Sequence, residues 1–228
     1  MKILGLAKLT LLDFPGKVAC TVFSGYCNLR CPFCHNGGLV YGEGEEITED
    51  EIIRFLKKRL GILEGVCLTG GEPLLNDDVF DFIYRIKELG YPVKLDTNGT
   101  FPERLERIFK EGLVDYVAMD IKNSLEKYPV TTGLATIDTK KIEKSAKLIM
   151  ESGVDYEFRT TVMHPYHENE DFISIGKWLS GASNYYLQGF IDTGNLLSKN
   201  TMTPFTKEEM EKARNIASPY FQNIGIRA

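Results

Sequence analysis

Short β-rich runs and helical patterns alternate along this chain, and that alternation restricts the possible fold more than any other feature. The first strand pattern is Lys17 to Gly25 (KVACTVFSG), which is β-branched and apolar. A helical pattern follows over Thr48 to Leu60. Thr48 and Glu51 form a Thr–x–x–Glu start signal, and Ile52, Ile53, Phe55 and Leu56 recur at helical spacing. Further strand patterns fall at Gly65 to Thr69, Pro92 to Asp96, Val114 to Ile121, Val154 to Met163 and Tyr185 to Ile191. Helical patterns at 77–89, 102–111, 138–151, 169–179 and 207–217 follow them in turn. Parallel neighbours need a long return path, so six βα units in series predict a parallel sheet with right-handed crossovers. An open doubly wound sheet and a curved partial barrel both satisfy this rule, and in both the chemistry belongs at the carboxyl ends of the strands. No repeat, low-complexity tract or Pro/Gly/Ser-rich linker divides the 228 residues. One domain is therefore expected over 1–228, with its core at about 17–191 and a terminal helix and tail at 204–228.

Composition narrows the class of function. Hydrophobic residues make up 43% of the chain, with 13 Phe and 11 Tyr, which is enough apolar surface to drive folding. A net charge of -5 argues against a nucleic-acid partner, which usually meets a basic stripe. No apolar run reaches the length of a membrane span, and Lys8, Asp13 and Pro15 interrupt the start, so no membrane partner or secretory signal is expected and the expected compartment is the cytoplasm. The cysteine count is odd, at five, and Cys27, Cys31 and Cys34 fall within eight residues. Such a cluster reads as a metal or cluster site in a reducing compartment rather than a disulfide scaffold.

The chemistry-bearing segments fall where a parallel α/β fold would use them. The cysteine cluster follows the first strand pattern, TGGEP (Thr69 to Pro73) the second and DTNG (Asp96 to Gly99) the third, and DIK (Asp120 to Lys122) ends the fourth. Thiolates are the usual ligands of iron–sulfur clusters. Three of them would leave one iron of a four-iron cluster open to a ligand, much as a catalytic zinc keeps a free position. A Cys3His zinc site using His35 is the alternative, although His35 directly follows Cys34. Cys20 and Cys67 lie inside apolar strand patterns and read as small core hydrophobes. Standing alone, TGGEP and DTNG would read as turns, because Gly and Asn tolerate positive φ. His164 and His167 flank Pro165-Tyr166 and form either a metal pair or unengaged loop residues, the latter being the commoner case.

The spacing CxxxCxxC, with Phe33 just before the third cysteine, resembles the signature of the radical S-adenosylmethionine superfamily. The longer string CNLRCPFCHN is similar to that of glycyl-radical-enzyme activating proteins. With the lead-in LTLLDFPGKVACTVF it most resembles the longer type of anaerobic ribonucleoside-triphosphate reductase activating proteins, the pyruvate formate-lyase activator being a near relative. The resemblance runs from about Leu9 to Met163. It implies a partial (β/α)6 TIM-like barrel, a [4Fe–4S] cluster on Cys27, Cys31 and Cys34, and S-adenosylmethionine as cofactor. Gly70 and Gly71 would meet the cofactor's amino group, with Glu72 bracing the loop or assisting. Asp120, Lys122 and Arg159 would surround its carboxylate, Arg159 having a structural ion pair as its alternative role. Phe33 would pack near the adenine, a place in the core being its alternative role, and His35 would lie beside the cofactor. Asp96, Thr97 and Asp120 would hold a monovalent cation, and Gln188 or Asp192 stands where the formate-lyase activator has a histidine.

The activity implied by the resemblance is reductive cleavage of S-adenosylmethionine and hydrogen abstraction from a glycine of a glycyl-radical enzyme, with anaerobic ribonucleotide reductase the expected partner. A flavodoxin or ferredoxin-type protein would be the reductant, and no side chain need act as a general acid or base. Activation of pyruvate formate-lyase, a radical enzyme for small molecules and, from another class, a one-cluster electron carrier are the alternatives. A carrier should form neither deoxyadenosine nor methionine.

Overall fold

The computed structural model describes residues 1–192, 194–198 and 201–227. Every strand pattern expected from the sequence is a strand. These are β2 (Ala19–Ser24), β3 (Gly65–Gly70), β4 (Val93–Thr97), β5 (Tyr116–Asp120), β6 (Asp155–His164) and β7 (Asn184–Gly189), and each pairs in parallel with the next. Three strands were not anticipated. β1 (Ile3–Thr10) runs antiparallel along β2, β9 (Asn223–Arg227) adds a further parallel strand beside β7, and the short β8 (Thr203–Pro204) pairs with β6. The resulting order is β1-β2-β3-β4-β5-β6-β7-β9.

The helices on the connections are α1 (Gly37–Tyr41), α2 (Glu49–Lys57), α3 (Val79–Glu88), α4 (Pro102–Lys110), α5 (Tyr128–Thr132), α6 (Thr139–Glu151), α7 (Asn169–Trp178) and α8 (Lys207–Ala217). The start signal read at Thr48 is real. Its hydroxyl accepts the Glu51 N–H at 3.3 Å, while the Glu51 carboxylate accepts the Thr48 N–H at 2.9 Å. Each long helix buries one apolar stripe, such as Ile52, Ile53 and Leu56 on α2 or Phe82, Ile83 and Ile86 on α3. Those stripes cover the outward side chains of the strands, including Val22, Leu68, Leu95, Val117, Phe158 and Leu187, in one buried cluster. Covering a parallel sheet this way removes apolar area from water at about 25 cal/mol per Å².

The alternate side chains face inward, and this face is polar. Cys67, Lys94, Asp96, Tyr116, Asp120, Glu157 and Arg159 are the residues between the outward ones on β3 to β6. Phe14, in the turn between β1 and β2, closes the amino end of this interior. It is buried and its ring lies 6.2 Å from that of Tyr116. At the same end Arg227 grips the buried Glu157 through two hydrogen bonds of 2.8 and 2.7 Å, and Tyr116 donates a third at 3.0 Å. This contact ties the end of β9 to β6, in addition to its pairing with β7. Among the described residues no helix is long and apolar enough to cross a membrane.

Candidate functional site

The carboxyl ends of the strands open into a cavity of about 470 Å³, with Cys27, Cys31 and Cys34 on its wall. The cysteine loop leaves β2 through Tyr26, which adopts φ 67. The loop is pinned by the Tyr26 N–H to the Leu39 carbonyl at 2.7 Å and the Cys27 N–H to the Val40 carbonyl at 3.2 Å. Its far side is held by the Arg30 N–H to the Thr132 carbonyl and the Leu197 N–H to the Cys34 carbonyl. Leu29 and Phe33 join Met163, Phe190 and Met202 in a separate apolar cluster around the loop. Burial in this shell raises the Cys27 thiol and pushes that of Cys31 up to about 12. A bare thiolate is disfavoured there, so these sulfurs ionise when a metal supplies the compensating charge.

The two glycines of TGGEP are required by the approach of two backbones. Gly70 has φ +114, and a Cβ there would lie 2.5 Å from the Ser24 backbone. A Cβ on Gly71 would lie 2.1 Å from the Tyr26 carbonyl oxygen. The Gly71 and Glu72 N–H groups then bond the Ser24 and Tyr26 carbonyls at 2.9 and 2.8 Å, which joins the cysteine loop to the end of β3. Both glycines also line the cavity.

Glu72 is not on the cavity wall. It is fully buried, and its carboxylate accepts the Leu74 N–H at 3.1 Å, the Thr97 hydroxyl at 2.9 Å and the Asn98 N–H at 2.6 Å. Burial raises its pKa to about 7, against these hydrogen bonds, which favour the ionised form. Its geometry is that of a brace between TGGEP and DTNG.

Asp96, Thr97, Asp120, Lys122 and Arg159 all line the cavity. Lys122 Nζ lies 3.0 Å from Asp120 Oδ2, and the Arg159 guanidinium lies 3.0 Å from Asp120 Oδ1 and 3.3 Å from Asp96 Oδ2. Burial opposes the Asp120 charge, but Lys122 and Arg159 outweigh it and hold the carboxyl well below its ordinary range. Lys122 and Arg159 are raised in return: burial lowers both, and their carboxylate partners more than compensate. Phe33 is buried, 6.4 Å from the Tyr166 ring, with Lys122 Nζ 5.9 Å from its own ring centre. His35 stands exposed at the rim and Gln188 lines the cavity wall. Asp192 is exposed and accepts the Gly194 N–H.

The two histidines of the HPYH segment do not act as a pair. His164 faces Glu209 at 3.3 Å and stacks on Phe205. His167 is buried, and burial lowers its pKa. Its Nε2–H is 3.0 Å from the Lys122 carbonyl, which makes it a support for the DIK segment. Among the described residues, no group of three His, Cys, Asp or Glu side chains is arranged to hold one metal ion. A four-iron cluster takes its thiolates at separate irons and does not need such convergence.

Cys67 is buried as expected, but on the polar interior face, its Sγ 3.9 Å from Lys94 Nζ and 3.9 Å from Asp96 Oδ1. Asn98 is the important residue that motif reading left as part of a turn. Its Oδ1 accepts the Thr100 N–H at 3.0 Å and the Thr100 hydroxyl at 2.7 Å. That fixes the amide so that Nδ2 donates to Asn28 Oδ1 at 2.9 Å and reaches Cys27 Sγ at 3.8 Å. The sequence signal was present in the Asn of DTNG, but its partner lies seventy-one residues away.

Residues 21–179 match the model of the radical SAM superfamily. The chain belongs to that superfamily. It is an enzyme, and the superfamily's cofactors are a [4Fe–4S] cluster and S-adenosylmethionine, which three cysteines on the cavity wall, with Lys122 and Arg159 on the same wall, fit. The chain is 33% identical over 231 residues to a Methanocaldococcus jannaschii protein provisionally named a glycyl-radical enzyme activating enzyme, covering 98% of this chain and 94% of that one. It is 30% identical over 160 residues to the 7-carboxy-7-deazaguanine synthase of Thermoplasma acidophilum, covering 69% of this chain and 72% of the relative. The fold is similar to that of Streptococcus suis SuiB bound to S-adenosylmethionine, with a TM-score of 0.67 at 15% identity over 90% of this chain and 49% of that one.

Proposed function

We propose that this radical SAM enzyme is the activator of a glycyl-radical enzyme, removing a hydrogen atom from a backbone glycine of its partner. The observation that carries this reading is the similarity over nearly the whole length of both chains to the archaeal relative of that name. In the proposed assignment Cys27, Cys31 and Cys34 hold the cluster, and residues 1–228 act as one domain. When bound, the cluster and S-adenosylmethionine together supply a 5′-deoxyadenosyl radical. The chain's own residues position and enclose it. Gly70 and Gly71 present main chain to the cofactor's amino group, and Lys122 offers a point charge to its carboxylate. Phe33 and Phe190 keep water from the reacting end, and Gln188, on the cavity wall, takes the ribose contact. Anaerobic ribonucleoside-triphosphate reductase is the proposed partner, and a flavodoxin or ferredoxin-type protein the proposed reductant.

The test is anaerobic. The full chain with reconstituted cluster, reductant and S-adenosylmethionine is expected to form deoxyadenosine slowly. Addition of the anaerobic reductase should accelerate this and leave a glycine-centred radical on that protein, read by electron paramagnetic resonance. A radical on pyruvate formate-lyase instead would change the partner but keep the activity. Similarity to the deazaguanine synthase supports a second reading, in which a small heterocycle is the substrate. Acceleration by such a heterocycle, with no radical on any glycyl-radical enzyme, would favour it.

A narrower expectation concerns Asn98. An N–H directed at a cluster sulfur stabilises the more negative, reduced cluster and so raises its potential. Asn98→Ala is expected to lower the reduced-to-oxidised ratio about three- to tenfold at a fixed solution potential, in a redox titration followed by electron paramagnetic resonance. An unchanged midpoint in a folded variant would count against this role.

A further inference from the structure

We infer that Arg159 is the built-in counter-ion of the two strand-end carboxylates, Asp96 and Asp120, so that this site works without a metal cation. The inference rests on the proposed binding of S-adenosylmethionine in this cavity. It arises from a misfit, because each of the three side chains expected to hold a monovalent cation already has partners within the protein.

Asp96 meets Lys94 through Oδ1 and the Arg159 guanidinium at 3.3 Å through Oδ2. Asp120 meets Arg159 through Oδ1, at 3.1 Å from Nε and 3.0 Å from the terminal nitrogen, and Lys122 at 3.0 Å through Oδ2. All four carboxylate oxygens therefore face a cationic nitrogen of the chain itself. The Thr97 hydroxyl is turned away from them. It donates to Glu72 Oε1 at 2.9 Å and accepts the Gly99 N–H at 3.2 Å.

Charge balance points the same way. Arg159 and Arg227 also lie 3.9 and 2.7 Å from Glu157. The network thus holds the carboxylates of Asp96, Asp120 and Glu157 against the cations of Lys94, Lys122, Arg159 and Arg227, one positive charge in excess. A metal cation would enter a network already positive, whereas one carboxylate of a ligand would neutralise it. The planar guanidinium also suits the place, because its rigid fork presents separate N–H groups to carboxylates on two neighbouring strands at once.

The test compares salts of equal ionic strength containing sodium, potassium or choline, the last being too large to enter between two carboxylates. With the cluster reconstituted, wild-type affinity for S-adenosylmethionine, measured calorimetrically, is expected to agree across the three within about twofold. In the chain without cofactors, wild-type unfolding temperature should likewise show no preference for the small cations. Arg159→Gln leaves Asp96 and Asp120 facing each other without the bridging charge, and its unfolding temperature is expected to rise in sodium or potassium relative to choline. A wild-type affinity that falls about tenfold or more in choline would overturn the inference. So would an Arg159→Gln chain that folds and gains nothing from either small cation. The wild-type comparisons need no variant, so they decide the matter if Arg159→Gln fails to fold. Failure to bind S-adenosylmethionine in every salt would instead count against the proposed function, and the unfolding comparison would then judge the counter-ion role by itself.

Discussion

Replacing Cys27, Cys31 or Cys34 by alanine, one at a time, is expected to leave the reconstituted chain without an intact four-iron cluster and to bring deoxyadenosine formation down to the level of the blank. The three thiols face one cavity and are the sulfur atoms on its wall, while Cys20 and Cys67 are enclosed elsewhere. Cys20→Ala removes a thiol from the apolar layer beneath the helices, and Cys67→Ala one beside Lys94 and Asp96. Each is expected to cost about 1 kcal/mol in stability from the small void left behind, with iron content unchanged. Iron analysis and the brown absorbance of the anaerobic protein read both groups of variants. An intact cluster in any variant of the loop, or its loss from a folded Cys67→Ala chain, would overturn the assignment of the ligands.

The second large effect is expected at Asp120. Its carboxylate touches both Lys122 and Arg159, so Asp120→Ala leaves two cations on the same wall without their shared anion. A fully enclosed pair broken this way costs about 3–5 kcal/mol. The Asp120 side chain keeps 32% of its exposure to the cavity. The expected loss is therefore about 2–4 kcal/mol at pH 7, measured by denaturant unfolding. The pH dependence has a definite sign. Because the folded-state pKa of Asp120 is depressed, the unfolded chain binds the proton more readily. The stabilisation is thus complete above the ordinary carboxylate range, near pH 4, and is lost as pH falls through the lower folded value. The gap between wild type and Asp120→Ala should narrow on acidification. A gap that widens toward low pH would show that the carboxylate is not held ionised by these partners.

Much of this protein can be read along the chain, for a physical reason. Strand and helix patterns, the Thr48–Glu51 start signal and the CxxxCxxC spacing are relations between residues a few positions apart. The six parallel strands and the grouping of the cysteine loop, TGGEP, DTNG and DIK at one end of the sheet follow from them. β1 and β9 escaped notice because they are edge strands outside the βα series, one antiparallel ahead of it and one after the last helix. Their stability comes from distant partners, as in the grip of Arg227 on Glu157.

What only the tertiary structure decided is the wiring of the site. By sequence alone Glu72 reads as a brace of its own loop or an aid to the cofactor contact, Asn98 as part of a turn, Cys67 as a core hydrophobe and Arg159 as a partner of the cofactor carboxylate or of an unspecified ion pair. Register across β4, β5 and β6 sets Arg159 between two carboxylates, and the end of β3 turns Glu72 inward to hold DTNG. Those contacts join residues twenty-five or more positions apart, apart from the Lys94–Asp96 and Asp120–Lys122 pairs two residues apart on one face. The sequence therefore determined which elements form and which chemical groups the carboxyl ends of the strands carry. The tertiary structure decided which charge neutralises which, because that depends on distances across neighbouring strands that no local pattern records.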